Sequence, residues 1–195
     1  MVPWIILAAV LLLLVALPVS IYNGLVRRRN GIANAQGAID AVLKQRFDLL
    51  PNLVETVKRY AAHETGLFAG VVALRKGKNS YGELSADEKN AFDSGFGTGL
   101  RNFYAVAENY PDLKASDNFL HLQRTLNELE EQLSAARRTY NAVVTDYNNA
   151  VQVFPSSVIA GLFGFRPGRV LETPAEERGV PDVGNLFGDN RCGRQ

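Results

Sequence analysis

The sequence predicts an all-α protein: an N-terminal transmembrane helix continuing into an antiparallel up-down four-helix bundle with long coiled-coil-like helices. Three observations carry this. Val2 to Ile21 contains no charged side chain, and about 20 apolar residues span a bilayer core. Between Phe119 and Phe154 apolar residues recur in alternating steps of three and four, the signature of a heptad seam. The rest of the chain up to Arg166 divides into helical stretches separated by short turn signals, with only eight prolines in all.

The apolar stretch is framed by Trp4 and Tyr22, and such rings prefer the membrane interface. Pro18 stands near its inner end, where a kink is tolerable. Arg27, Arg28 and Arg29 follow, and by the positive-inside rule they keep what comes after them in the cytoplasm. A cleaved signal peptide would need a basic n-region and a small-x-small site, and the stretch has neither. Residues 1–21 are therefore expected to be a transmembrane helix in the bacterial inner membrane, single-pass, with the N-terminus outside.

The first bundle helix should run from about Tyr22 to Phe47, with Leu25, Ile32, Ala35, Ile39 and Val42 at helical spacing. Asp48-Leu49-Leu50-Pro51-Asn52 should break it, Pro51 opening a second helix from about Asn52 to Lys76 that Gly77 caps. Ser85-Ala86-Asp87-Glu88 reads as a capping box. The third helix that it opens carries Phe92, Phe96, Gly99, Phe103, Val106 and Tyr110 on one face, with Gly95, Gly97 and Gly99 along its length. Those glycines mark either a locally weak helix, at about 1 kcal/mol each, or a close-approach face for a neighbouring helix or protomer.

Tyr110-Pro111-Asp112-Leu113 is the next turn, and Ser116 caps the longest helix, about Asp117 to Phe154. Its seam is Phe119, Leu122, Leu126, Leu129, Leu133, Ala136, Tyr140, Val143, Tyr147, Ala150 and Phe154. Short connections make successive helices antiparallel neighbours, so residues 22–154 form the cytoplasmic bundle. The fourth helix, about 55 Å long against about 40 Å for the first, should overshoot by about 15 Å and end beside Tyr22. Residues 155–165 then form an apolar membrane-proximal segment in which Leu162, Phe163 and Phe165 contact lipid, together with Trp4, Tyr22 and Arg27 to Arg29. The other placement is that the fourth helix overhangs the far end and this run covers the base of the bundle. Residues 166–195, rich in Pro and Gly, read as a flexible tail.

Function classes are narrowed by what is missing. Twenty-one Lys and Arg balance twenty Asp and Glu, so there is no concentrated basic face for nucleic acid. The single cysteine, Cys192, can form no internal disulfide. The two histidines, His63 and His121, fall at different heights and are unlike a shared metal site. No catalytic motif, cofactor site or metal site is expected, and the chain reads as a non-enzyme. The polar constellation is instead structural. Asn23, Asn30 and Asn34 on the first helix are expected to come toward Asn141 and Asn148 on the fourth, where buried Asn would fix helix register, the other reading being that most of them are solvated. Glu64 is expected to pair with Arg137 or Arg138.

Taken together the chain resembles the LemA family. The likeness rests on Tyr22-Asn23-x-Leu25-Val26 with Arg29-Asn30, on Asp48-Leu49-Leu50-Pro51-Asn52-Leu53-Val54-Glu55, and on Tyr60-Ala61-x-His63-Glu64. It continues through Tyr110-Pro111-Asp112-Leu113, Ala136-Arg137-Arg138-x-Tyr140-Asn141 and Asp146-Tyr147-Asn148 to Phe154-Pro155-Ser156 and Ile159 to Phe165. The glycine-rich third helix and the long tail depart from the family's pattern. The resemblance implies a single-pass bacterial membrane protein with a cytoplasmic four-helix bundle and no agreed reaction. The first functional reading is a scaffold or adaptor that presents the bundle to protein partners, with the bilayer and further copies of the chain among its contacts, and the resemblance adds a membrane-bound zinc metalloprotease as a candidate partner. A homo-oligomeric membrane-remodelling or membrane-organising assembly protein is the alternative.

Overall fold

The computed structural model describes residues 2–60 and 80–171, with isolated positions at 66, 69, 72, 73 and 78 between them. Among the described residues the regular elements are all helical, without a strand. Helix α1 (Val2–Tyr60) is followed, after a 3-10 turn at Tyr81–Glu83, by α2 (Ala86–Ala107). Then come a one-turn α3 (Pro111–Lys114), the long α4 (Asp117–Gln152) and a short α5 (Ser156–Leu162).

The helix expected to end at Phe47 does not end there: α1 passes through Pro51 without interruption. Proline inside a helix costs about 3 kcal/mol because it donates no hydrogen bond and crowds the preceding turn. Here Leu43, Phe47, Leu50, Leu53 and Val57 are all buried, so one apolar stripe runs across the proline while Pro51 itself is exposed. Each such side chain contributes about 1.5–3 kcal/mol when buried, enough together to outweigh the loss. The Asp48 to Asn52 run with its proline predicts a break, and the buried stripe decides against it. Residues 52–60 of the expected second helix thus belong to α1, and of its remainder only the isolated positions 66, 69, 72 and 73 are described, so that His63 and Glu64 lie outside the described residues.

Helix α2 begins as its sequence predicts. The Ser85 side chain accepts from the Glu88 amide and the Glu88 carboxylate accepts from the Ser85 amide. Phe92, Phe96, Gly99 and Phe103 are buried on one face, and the helix is continuous through its glycines. Ser116 caps α4, accepting from the Phe119 amide.

Two apolar cores stack along the axis. The upper one joins Phe47, Leu50, Leu53, Phe92, Phe96, Phe103, Leu126 and Leu133. The lower one joins Leu25, Tyr147, Val151 and Ala160, with Ile21, Ile32 and Phe165 packed on it. Between α1 and α4, Arg28 meets Asp146 and Arg46 meets Glu130, so the two numberings run in opposite senses. The α4 seam holds as far as Leu133 and again at Tyr147, and drifts around and beyond it. Val144 and Val151 are buried where the heptad reading put Val143 and Ala150, and Phe154 is 77% exposed. A straight α-helix repeats every 3.6 residues rather than 3.5, so the buried stripe moves by one position over several turns.

Candidate interaction surface

Three groups of polar and aromatic residues stand out on this scaffold. At the lower end α5 folds back beside α1. The Tyr22 ring meets Phe163 and Phe165 edge-on, with centroids 4.9 and 5.6 Å apart, and the Arg29 guanidinium lies 5.6 Å from the Phe165 ring. Of the expected membrane-contact set, Trp4, Leu162 and Phe163 are strongly exposed, Phe165 is half-buried, and Arg28 is paired with Asp146. Val153, Phe154 and Val158 are exposed at the same end. The apolar run thus sits beside Tyr22 and not at the far end. The reason differs from the one expected. Residues 22–60 of α1 span about 57 Å and α4 about 53 Å, so the two match in length instead of one overshooting.

The second group is buried. Arg46 is 2% exposed and reaches Asp93 Oδ1 at 3.3 Å and Glu130 Oε1 at 2.6 Å. The Glu130 contact is too oblique for a hydrogen bond, and Nε and Nη2 have no hydrogen-bond partner among the described residues. The Phe96 ring lies 5.4 Å from the guanidinium. Asp93 also takes Arg137. Arg137 therefore pairs with an aspartate of α2, and Arg138 with Ser134 on its own helix. Sequence reasoning missed Arg46 and Asp93. The available signal was an arginine one residue before Phe47, inside an apolar stripe.

The third group replaces the expected asparagine network. Asn23, Asn30 and Asn34 are exposed on α1. Asn141 and Asn148 turn instead to the segment after α5. Asn148 donates to the Gly168 carbonyl at 2.9 Å and accepts the Gly168 amide at 2.7 Å. Asn141 does the same for Leu171, at 2.9 and 2.8 Å. Tyr147 donates to the Arg166 carbonyl at 3.0 Å and Tyr140 to that of Arg169 at 3.3 Å. Residues 166–171, expected to be loose, are a strap laid along α4. The remainder of the expected tail lies outside the described residues.

Near the start of α2, Glu88 has its carboxyl lowered to about 2, first by the hydrogen bond from Lys78 and then by the Ser85 backbone. Tyr81 is pushed up to about 12 by burial and by Asp40 and Asp93 nearby.

Comparison with known proteins adds identity to this geometry. The LemA family profile matches residues 35–184. Magnetosome protein MamQ 2 of Paramagnetospirillum magneticum is 26% identical over 169 residues, covering 74% of this chain and 62% of that protein. Magnetosome protein MamQ of Magnetospirillum gryphiswaldense is 25% identical over the same length and coverage. Protein LemA of Metamycoplasma hominis is 30% identical over 144 residues, 71% of this chain and 63% of its own length. The chain thus spans a little under two thirds of the length of these relatives. The profile match takes in α2 to α5, the Tyr–Asn pairs and the strap they hold, and the chain belongs to the LemA family.

Proposed function

We propose that this chain is a single-pass scaffold of the inner membrane, with its N-terminus outside and an antiparallel helical bundle presented to protein partners in the cytoplasm. The observation that carries the reading is that one helix is both anchor and stave. Residues 3–17 of α1 are all apolar and exposed, and the same helix supplies Leu25 to Val57 to the two cores. A bundle mounted this way stands at a set height and angle to the bilayer, which suits presentation of a surface. Arg27 to Arg29 support the orientation by the positive-inside rule. Tethering by one continuous helix needs no reaction at any site.

A second reading is favoured by the exposed apolar base at Val153, Phe154, Leu162 and Phe163. On that reading many copies press this base into lipid and organise the membrane. Two of the compared relatives carry the name magnetosome protein, which is compatible with either reading. Photo-crosslinking in cells from exposed positions on α2 and α4 of the full chain separates the two. A small set of other proteins recovered in fixed proportion is the result expected for a scaffold. Recovery of copies of this chain alone, in rings or filaments, replaces it with the second reading.

A further inference from the structure

The dipeptide Tyr-Asn occurs twice in α4, at Tyr140-Asn141 and Tyr147-Asn148. Seven residues of helix rise about 10.5 Å and return nearly to the same face. Three residues of extended chain span about 10 Å. A helix with a seven-residue repeat can therefore grip an extended segment with a three-residue repeat, and six hydrogen bonds join the two here. The carbonyls of Arg166 and Arg169 go to the tyrosines, and both backbone groups of Gly168 and Leu171 go to the asparagines.

The grip is almost wholly on backbone. Each asparagine amide takes the N–H and C=O of one residue, as a neighbouring β-strand would. Gly168 is the one strap position turned onto the helices: an added Cβ would already be in van der Waals contact with Val144 Cγ1 at 3.4 Å and Ile32 Cδ1 at 3.7 Å, so a larger branched side chain would be crowded there. Arg166, Pro167, Arg169, Val170 and Leu171 are exposed. The surface thus selects an extended backbone with a small residue at one register position, and nothing in those bonds depends on which chain supplies it.

We infer that the Tyr–Asn face of α4 is a peptide-binding groove, filled in cis by residues 166–171 and able to take the same segment from a second copy. The second copy is the occupant the geometry favours, because it necessarily carries Gly168 in the matching register. Strap exchange also requires no opening of the lower core. Ala160 and Phe165 stay packed on α1 and α4, while Gly164, at φ +70°, supplies the bend from which the strap departs. So short a strap reaches only an abutting neighbour, and a pair of copies that exchange straps with each other closes about a two-fold axis. Copies anchored in one bilayer meet at the high effective concentration of tethered modules. The inference stands on the ladder geometry; it shares the membrane anchor with the proposed function and does not depend on the scaffold role.

The test uses two differently tagged full-length versions reconstituted in lipid nanodiscs large enough for two copies. One carries Asn141→Ala with Asn148→Ala, which removes the groove and leaves the strap. The other carries Gly168→Val, which spoils the strap and leaves the groove. A third, ending after Phe165, serves as strap-less partner in case the valine disturbs folding. Helix content and melting temperature are compared with the parent chain for each. The expected result is that the unlike pair co-purifies at least tenfold more than either version with itself. Equal recovery of all pairs, or none from the unlike pair made with either strap variant, overturns the inference.

Discussion

Arg46 is held in an apolar stripe by charges from two other helices, so its energetics depend on what remains when one partner leaves. Removing a partner from a buried ion pair costs about 3–5 kcal/mol. Asp93 is 25% and Glu130 46% exposed, and Glu130 stays when Asp93 goes, so Asp93→Ala should cost less, about 2 kcal/mol. Denaturant unfolding of the detergent-solubilised chain measures this. An unchanged midpoint would show that Arg46 keeps its balance without Asp93. Glu88 gives a pH test with the opposite emphasis. Its folded carboxyl lies at about 2 against an ordinary 4.5. A lowered acid stabilises the fold fully above the unfolded value, and that contribution drains away as pH falls from about 4.5 towards 2. The start of α2 should loosen over that window, seen as faster amide exchange at Glu88 and its neighbours. A Glu88 titration midpoint near 4.5 in the folded chain would mean that the Lys78 and Ser85 contacts are open in solution. The capping box was legible from four letters because its chemistry is local. Arg46 was not, because a buried cation is only recognisable once the elements that bring Asp93 and Glu130 are placed.

Helix α1 reports how propensity and burial compete. If burial carries the chain across Pro51 against a local penalty, Pro51→Ala should raise stability, by about 1–3 kcal/mol. A lower melting temperature for that variant would mean that the proline ring is needed at its site. In α4, Leu126→Ala and Leu133→Ala should each cost about 2–5 kcal/mol. Val144→Ala should cost more than Val143→Ala, since Val144 is fully buried and Val143 only partly; equal effects would restore the heptad register there. The seam was readable in the upper half because Leu recurs at both helical repeats. Lower down, adjacent valines satisfy either repeat, and periodicity cannot choose between them. The same limit hid the strap. Tyr-Asn repeated at seven looks like another seam position until an extended segment of period three is laid beside it.

At the scale of the whole molecule, the two ends of the bundle have different neighbours. A reporter fused at Gln195 should be active only if it works in the cytoplasm, and alkaline phosphatase activity there would reverse the orientation. At the base, changing Leu162, Phe163 and Phe165 to Ser in a chain lacking residues 1–21 should abolish liposome binding while helix content is retained. Persistent binding would place the second lipid contact elsewhere. The architecture has a mechanical consequence as well. Because α1 is unbroken from Val2 to Tyr60, it is a lever whose short arm is apolar and exposed and whose long arm is the spine of the bundle. Membrane-spanning helices tilt over a range of about 0–40° to match bilayer thickness. For a long arm of about 57 Å, a 10° change in that tilt sweeps the far end, where α3 and the start of α4 lie, sideways by roughly 10 Å. A change in lipid thickness too small to register at the base would therefore arrive at the tip as a displacement the width of a helix.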